Sequence, residues 1–152
     1  MRGAVIEPIH VFSETPLFFD HAPLSLPITS VYAGLLALLY LVLAARVISV
    51  RRSQNINLGD GGDKAMMRRI RAHANCAEYM PLGIILLALA EIQGAPGIAL
   101  NVLGLCLLGG RILHGVALSR EGPWPLGRIA GMILTFSMIA VAALGLLAHS
   151  LL

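Results

Sequence analysis

A polar stretch in the middle of the chain carries the residues whose types and spacing could do chemistry. Arg71, Asn75 and Glu78 follow each other at i, i+4 and i+7, so an α-helix would place a guanidinium, an amide and a carboxylate on one face. Pro81 removes the hydrogen bond to the Ala77 carbonyl, and a kink there would shape a pocket beside the stripe. The stripe predicts either a binding site or a polar seam that joins helices, and the spacing leaves both open.

The stripe lies where a membrane boundary would fall. The apolar run that follows it, Met80 to Ala90, is eleven residues long, which is about 16 Å of helix. A bilayer core needs about 20 residues, so a membrane-spanning helix here must include part of the polar stretch. Charged side chains at that depth are costly in lipid, and they usually face the interior of a helix bundle or a wet cavity.

The composition indicates an integral membrane protein with one domain. Apolar residues make up 57% of the 152 residues and charged residues only 12%, whereas soluble domains carry roughly 25% charged residues. The formal net charge of +3 does not indicate a nucleic-acid partner, because the basic residues cluster beside apolar runs and suit lipid head groups. Membrane lipids are therefore the expected surroundings.

Four apolar segments predict an all-α membrane domain, because lipid-exposed backbone must satisfy its hydrogen bonds internally. The predicted helices of this four-helix bundle cover about residues 27–50, 65–92, 96–118 and 126–152. Residues 1–26 contain several prolines and no helical periodicity, so they predict an irregular amino-terminal tail outside the membrane domain at residues 27–152.

Basic residues predict the orientation of the helices. They flank the links after the first and third helices, whereas the link at residues 93–95 has none. By the positive-inside rule, the first and third links lie in the cytoplasm and both termini lie on the non-cytoplasmic side. The first helix is followed rather than preceded by its basic residues, which argues against a cleaved signal peptide.

The third helix brings a second charged group to the depth of the stripe. Arg111 lies about 10 Å from the cytoplasmic end of that helix, counting seven residues to Leu118. It needs a partner, and Glu78 enters from the same side to a similar depth, so we predict a structural Arg111–Glu78 ion pair. His114 lies one turn nearer the surface and would face the same cavity.

Neither cysteine indicates a disulfide or a metal site. Cys76 and Cys106 both fall in predicted membrane helices, where free thiols are usually buried and inert. His10 and His21 lie in the tail at a spacing that matches no metal motif. We therefore expect no bound metal.

The polar stretch of the second helix resembles the hallmark of the MAPEG superfamily, the membrane-associated proteins in eicosanoid and glutathione metabolism. The leukotriene-forming glutathione transferase of that family has a similar Arg-x-x-x-Asn-Cys-x-Glu-Tyr-x-Pro stretch, matched here from Arg71 to Pro81. The end of the first helix, from Val47 to Arg52, is also similar. The motif from Gly110 to His114 and the link from Leu58 to Gly62 resemble the bacterial members. The resemblance covers residues 27–152.

The resemblance implies a homotrimer in the bacterial inner membrane, with glutathione as a co-substrate bound between subunits near the cytoplasmic face. The residues that match the glutathione contacts of the family are Arg51, Arg71, Asn75, Glu78 and Tyr79. The arginines suit the two carboxylates of glutathione, Glu78 suits its ammonium, and Asn75 suits either role. In the family an arginine at the start of the fourth helix lowers the pKa of the thiol, and Arg128 occupies a similar position.

Departures from the family pattern bear on the chemistry. The leukotriene-forming enzyme has tyrosines on its third helix, whereas here His114 takes the place of one and the next turn offers only Ala117 and Leu118. His114 is therefore a second catalytic candidate, since an imidazole can accept the thiol proton near neutral pH.

Three functions are compatible with these residues. The first is a glutathione transferase or peroxidase that acts on hydrophobic electrophiles from the bilayer. The second is a non-catalytic lipid- or thiol-binding scaffold of the same family. The third is a small four-helix transporter, which the sequence disfavours because such transporters usually place an acid in the first helix, and no acid lies between Asp20 and Asp60.

Overall fold

In the computed structural model, which describes residues 25–120, 122 and 124–152, the chain forms four α-helices. They are α1 (Pro27–Gln54), α2 (Lys64–Ile92), α3 (Gly97–Ser119) and α4 (Pro125–Leu151). Each is long and apolar enough to cross a membrane. The predicted all-α architecture with four long apolar helices is confirmed. The predicted irregular tail, apart from residues 25 and 26, lies outside the described residues.

Proline and charge at the helix ends explain where the helices start and stop. Pro27 and Pro125 each occupy the beginning of a helix, where the N–H that proline lacks would have no partner within the helix. α1 extends beyond its predicted end to include Arg51 and Arg52, because cations are favourable in the last turn of a helix. Asn55 closes α1 in the left-handed conformation, with a φ of 54°.

Asp63 starts α2 as its N-cap. Its carboxylate accepts hydrogen bonds from the backbone N–H of Ala65 at 2.6 Å and of Met66 at 3.3 Å, and from the side chain of Gln54 at 2.8 Å. The hydrogen bond from Gln54, followed by those from the two amides, lowers the pKa of the Asp63 carboxyl. The same side chain therefore caps α2 and joins it to the end of α1.

Loss of this cap is expected to destabilise the protein in a pH-dependent way. The folded pKa of Asp63 is lowered, so its contribution to stability is present above its unfolded pKa of about 3.9 and is lost as the pH falls through the folded value. Asp63→Ala should therefore lower the thermal midpoint at neutral pH, and the difference from wild type should narrow in acid. Asp63→Asn keeps a capping oxygen, so its thermal midpoint at neutral pH should lie between those of wild type and Asp63→Ala. Melting curves in detergent from neutral to acid pH provide the test. If the difference in thermal midpoint between wild type and Asp63→Ala stays constant in acid, the prediction is wrong.

At the opposite end of the bundle, a carboxylate of α2 joins the end of α2 to the start of α1. Glu91, near the end of α2, accepts hydrogen bonds from the backbone N–H groups of Ile28 at 3.0 Å and Thr29 at 2.7 Å. Amides in the first turn of a helix have no partner within the helix, and an acidic group there complements the helix dipole. Glu91 thus fixes the start of α1 against the end of α2.

Glycines allow α3 to approach α4 closely. Gly110 of α3 faces Gly131 of α4, and a Cβ built on Gly131 would lie 2.7 Å from the Gly110 carbonyl oxygen and 2.8 Å from the backbone nitrogen of His114. Only a residue without a side chain permits this separation. The contact lies next to the polar residues of α3, so it also sets their position relative to α4.

Apolar side chains fill the core and also cover the outside of the bundle. The fully buried apolar side chains that pack together are Leu36, Leu87, Leu107 and Met138. Other apolar side chains are more than half exposed, and each helix has at least one of them, for example Val31, Ile85, Val102 and Ile133. An apolar exterior on four long helices is the surface that a bilayer requires, so the outside of the bundle contacts lipid.

Candidate functional site

The polar stripe of α2 divides between two directions. Arg71 and Glu78 are exposed, whereas Asn75 is half-buried and bonds to α3. A helix turns about 100° per residue, so Arg71 and Glu78 lie within about 20° of each other and Asn75 is offset by about 40–60°. The stripe predicted from the spacing is therefore present, but its central residue is the one that turns to the neighbouring helix.

Arg111 lies at the centre of a buried polar network and is only 1% exposed. Its Nη1 donates to Oδ1 of Asn75 at 2.7 Å and to the Asn75 backbone carbonyl at 3.3 Å. Its Nε and Nη2 donate to Oγ1 of Thr135 at 3.0 Å and 2.7 Å, and Nη2 also lies 3.4 Å from the Gly131 carbonyl oxygen. Arg111 of α3 thus joins α2 to α4.

The predicted Arg111–Glu78 ion pair is not formed. The guanidinium donates to neutral oxygens of Asn75 and Thr135, while Glu78 points outward because it is turned about 60° from Asn75 around the α2 axis. Within the described part of the chain, the positive charge of Arg111 has no carboxylate beside it. Such a charge favours an anion in any water-accessible space nearby.

A space of this kind, called here the polar cavity, opens between α2, α3 and α4 at the end of the bundle that carries the α3–α4 link. Its volume is about 360 Å³, which falls in the range of about 300–1,000 Å³ for small-molecule sites. Its lining residues are Met67, Arg68, Arg71, Asn75, His114, Leu118, Arg128 and Met132. Three of these described residues are arginines and none of them is acidic, so the polar cavity suits an anionic molecule.

A second space, called here the apolar groove, adjoins the polar cavity along α4. Its volume is about 400 Å³, and it is lined by His114, Pro125, Arg128, Ile129, Met132, Ile133 and Phe136. His114, Arg128 and Met132 line both spaces, so the two meet at these side chains. The side chains of Ile129, Ile133 and Phe136 are exposed on the outside of the bundle. A hydrophobic molecule can therefore reach the polar cavity from the lipid side.

The structure brings some of the predicted site residues together and leaves others apart. Those that line the polar cavity are Arg71, Asn75, His114 and Arg128. Tyr79 lies next to the buried network, with its ring 5.4 Å from the guanidinium carbon of Arg111. Arg51 and Glu78 do not line the polar cavity within a single chain. Arg51 lies in the last turn of α1, where its Nη1 is 3.5 Å from the Ile56 carbonyl oxygen.

Two polar residues of the site were not among the predicted site residues, although one of them, Arg68, belongs to the polar stripe of α2. Thr135 holds the Arg111 guanidinium, and Arg68 lines the polar cavity. A threonine within an apolar membrane segment was the signal for the first, because its hydroxyl needs a partner there. Arg68 precedes Arg71 by three residues on the same face of α2, so helical spacing was the signal for the second.

The sequence as a whole matches a known family, described as the MAPEG family, over residues 29–148. The chain belongs to the MAPEG family. The match extends from the start of α1 into the last turns of α4. The resemblance noted in the α2 motif is thereby confirmed across the whole helical domain.

The chain is also similar to a bacterial membrane protein. Inner membrane protein YecN of Escherichia coli, from strain K12 and from strain CFT073 of type O6:H1, is 34% identical over 87 residues. The matched region is 57% of this chain and 66% of YecN, so the chain spans just under two thirds of the length of that relative. The relative and the four apolar helices together support an integral inner membrane protein of bacterial type.

Proposed function

We propose that the protein is a membrane-embedded glutathione transferase or peroxidase that acts on hydrophobic electrophiles from the bilayer. The observation that carries this proposal is the meeting of the polar cavity and the apolar groove at His114 and Arg128. One space suits a charged thiol and the other an apolar co-substrate, so the reacting atoms would meet at their junction. Membership of the MAPEG family supports the same function.

The charges of the polar cavity suit the charges of glutathione. Arg68 and Arg71 can bind its carboxylates through charge-assisted hydrogen bonds. Arg128, at the junction, can hold the sulfur as a thiolate, which is the nucleophilic form of a thiol. In a transferase this sulfur forms a bond to an electrophilic carbon, and the bond to the leaving group breaks, so that an aryl chloride releases chloride. In a peroxidase the sulfur attacks a hydroperoxide oxygen, the O–O bond breaks, and the alkoxide takes a proton and leaves as the alcohol. A second glutathione thiol then attacks the glutathione sulfenic acid, which gives glutathione disulfide and water.

We further propose that a homotrimer completes the site. Glu78 is exposed near the middle of α2, where a carboxylate facing lipid would be costly. A neighbouring copy that covers this face would shield Glu78 and let it receive the ammonium of glutathione. The same arrangement would allow Arg51 and Tyr79 to contact the ligand, as the family resemblance implies. In this proposal the end of the bundle with the polar cavity faces the cytoplasm, and both termini lie on the other side.

A non-catalytic lipid- or thiol-binding scaffold of the same family is the second candidate. None of the described residues that line the polar cavity carries a hydroxyl, because Leu118 and Met132 form the wall beside His114. Arg128 and His114, which line both spaces, are then the described groups placed to activate a thiol at their junction. The two functions differ in turnover: with glutathione bound, a transferase conjugates an aryl chloride such as chlorodinitrobenzene, whereas a scaffold leaves it unchanged.

Arg71→Ala is expected to weaken glutathione binding about 10- to 150-fold, equivalent to about 1.5–3 kcal/mol for a hydrogen bond to a charged group. Arg71 lines the polar cavity, and its loss removes one cationic partner of the ligand carboxylates. Isothermal titration calorimetry in mild detergent measures the change.

Arg69→Ala is the matched control for this experiment. Arg69 is an arginine of the same helix, but its Nη1 turns to the Arg46 carbonyl oxygen at 3.4 Å and it does not line the polar cavity. This variant should bind glutathione as the wild type does. Equal affinities for wild type and a well-folded Arg71→Ala protein would exclude this face of α2 as the binding site.

A further inference from the structure

We propose that Arg111 is a positioning residue that fixes the Asn75 side chain with its NH2 group toward the polar cavity, so that Asn75 binds an anionic group of the ligand. This inference rests on the proposed function and deepens it, because it specifies which part of the ligand Asn75 contacts. By its residue type alone, an asparagine can serve either the carboxylates or the ammonium of glutathione.

The orientation of the Asn75 amide follows from the chemistry of its partner. A guanidinium has five N–H donors and no acceptor, so the atom of Asn75 that lies 2.7 Å from Nη1 of Arg111 must be the oxygen Oδ1. The hydrogens of Nδ2 then point away from Arg111. No hydrogen bond within residues 25–120, 122 and 124–152 occupies them, and Asn75 lines the polar cavity. Asn75 therefore presents its donors to a ligand.

Arg111 is itself held in place from α4. Its Nε and Nη2 both donate to Oγ1 of Thr135, and this hydroxyl donates to the Gly131 carbonyl oxygen at 3.0 Å. Arg111 is 1% exposed and Thr135 is 0% exposed, so water does not compete for these hydrogen bonds. The orientation of Asn75 is thus fixed by a chain of hydrogen bonds that runs from α4 through α3 to α2.

This orientation restricts the class of ligand. The Asn75 donors join the three arginines of the lining, the charge of Arg111 lies beside them, and none of the described lining residues is acidic. The chemistry fits a molecule with at least two anionic groups close together. The ammonium of glutathione would then lie outside the polar cavity, on the side of the exposed Glu78.

Asn75→Asp tests the inference, because it should weaken the binding of an anionic group and strengthen the binding of an ammonium. One carboxylate oxygen can keep the hydrogen bond from Arg111, while the other turns an acceptor toward the ligand in place of the two donors. We expect a folded protein that binds glutathione, and also glutarate, a dicarboxylate without thiol or ammonium, at least about tenfold more weakly by calorimetry. Leu118→Asp puts the same charge on the cavity wall, seven residues from Arg111 on α3, and should weaken both ligands less.

A pair of variants at Thr135 tests the positioning role itself. Thr135→Val removes the hydroxyl that holds the guanidinium, which frees the Asn75 amide to turn, so the affinity for both ligands should fall by a factor similar to that in Asn75→Asp. Thr135→Ser keeps the hydroxyl and should bind within about twofold of wild type. A purely structural role for Thr135 would lower the thermal midpoint of the valine variant and leave the affinity of the folded protein unchanged.

The possible results separate this inference from the proposed function. If Asn75→Asp binds glutathione as tightly as wild type does, then Asn75 receives the ammonium and the inference is wrong. The same holds if Asn75→Asp binds glutathione no more weakly than the control variant Leu118→Asp does. If wild type binds glutarate but not glutathione, and Asn75→Asp loses glutarate, the role of Asn75 stands and the glutathione function fails. If wild type binds neither, the polar cavity is not an anion site and the inference fails. Should Asn75→Asp not fold, the affinities of the Thr135 pair give the same decision.

Discussion

Arg128→Ala is expected to abolish the thiolate that glutathione should form near neutral pH when it binds to the wild-type protein as proposed. A free cysteine thiol has a pKa of about 8.5, and an arginine within about 4–6 Å shifts a neighbouring pKa by about 1–3 units toward the charged form. Arg128 lines both the polar cavity and the apolar groove, at the junction where sulfur and electrophile would meet in the proposed function. Thiolate absorbance in the ultraviolet should arise with wild type and vanish with Arg128→Ala, and conjugation should slow about 10- to 1,000-fold.

Glutathione binding should largely persist in Arg128→Ala, because the contacts to the ligand carboxylates remain. Arg120→Ala is the matched control, since Arg120 is an exposed arginine at the end of α3 that lines neither space. Its guanidinium carbon lies 5.3 Å from the centre of the Trp124 ring. This control should keep both the thiolate and the turnover of wild type. A loss of thiolate in both variants would indicate a general effect of surface charge.

His114 is the competing candidate for thiol activation, because it also lines both spaces. If His114→Ala loses the thiolate and Arg128→Ala keeps it, α3 supplies the activating group and the assignment to Arg128 is wrong. If wild type binds glutathione without any thiolate signal, the non-catalytic scaffold becomes the better description of this protein.

The four helices could be predicted from the sequence because the membrane constraint acts locally. An apolar run of sufficient length must form a helix, whatever its tertiary partners are. The helix ends were harder to predict, since hydropathy falls at Arg51 while the helix dipole favours arginines in the last turn. α1 therefore continues to Gln54, beyond its predicted end at Val50.

The partner of Arg111 could not be predicted from charge and depth alone. The sequence showed that a membrane guanidinium needs acceptors, and Glu78 was the carboxylate at a similar depth. The actual choice depends on rotation about the α2 axis, which separates Asn75 from Glu78 by about 60°. It also depends on the close approach of α3 and α4, which brings Thr135 within 2.7 Å of the guanidinium. The spacing of residues along one helix gives neither the rotation of α2 toward its neighbours nor the distance between α3 and α4.

Contacts between residues far apart in the sequence could not be predicted either. Spacing could group Arg71 with Asn75 because both lie on α2, whereas it could not place residues of other helices beside them. Glu91 gave no sequence signal as a cap for α1, since its partners Ile28 and Thr29 precede it by 63 and 62 residues. Such contacts follow from the packing of whole helices, which needs a three-dimensional structure.

Gly131→Ala is expected to destabilise the protein even though alanine is the better helix former. Its Cβ would lie 2.7 Å from the Gly110 carbonyl oxygen and 2.8 Å from the His114 nitrogen, backbone atoms that cannot move without displacing α3. Overpacking of this kind costs about 1–3 kcal/mol, against a gain of up to about 1 kcal/mol in helix propensity. The thermal midpoint in detergent should fall by roughly 2–8 °C.

Gly145→Ala is the matched control for this prediction, because it makes the same change on the same helix, and no atom of the described residues beyond the adjacent helix backbone lies within 4 Å of the new Cβ. It should leave the midpoint unchanged or raise it through helix propensity, so the two variants should move in opposite directions. The α3–α4 contact also sets where Thr135 meets Arg111, so Gly131→Ala should weaken glutathione binding while Gly145→Ala does not. Equal midpoints and equal affinities would show that α3 and α4 do not pack through Gly110 and Gly131. The hydrogen-bond network that orients Asn75 would then lose the helix contact on which it depends.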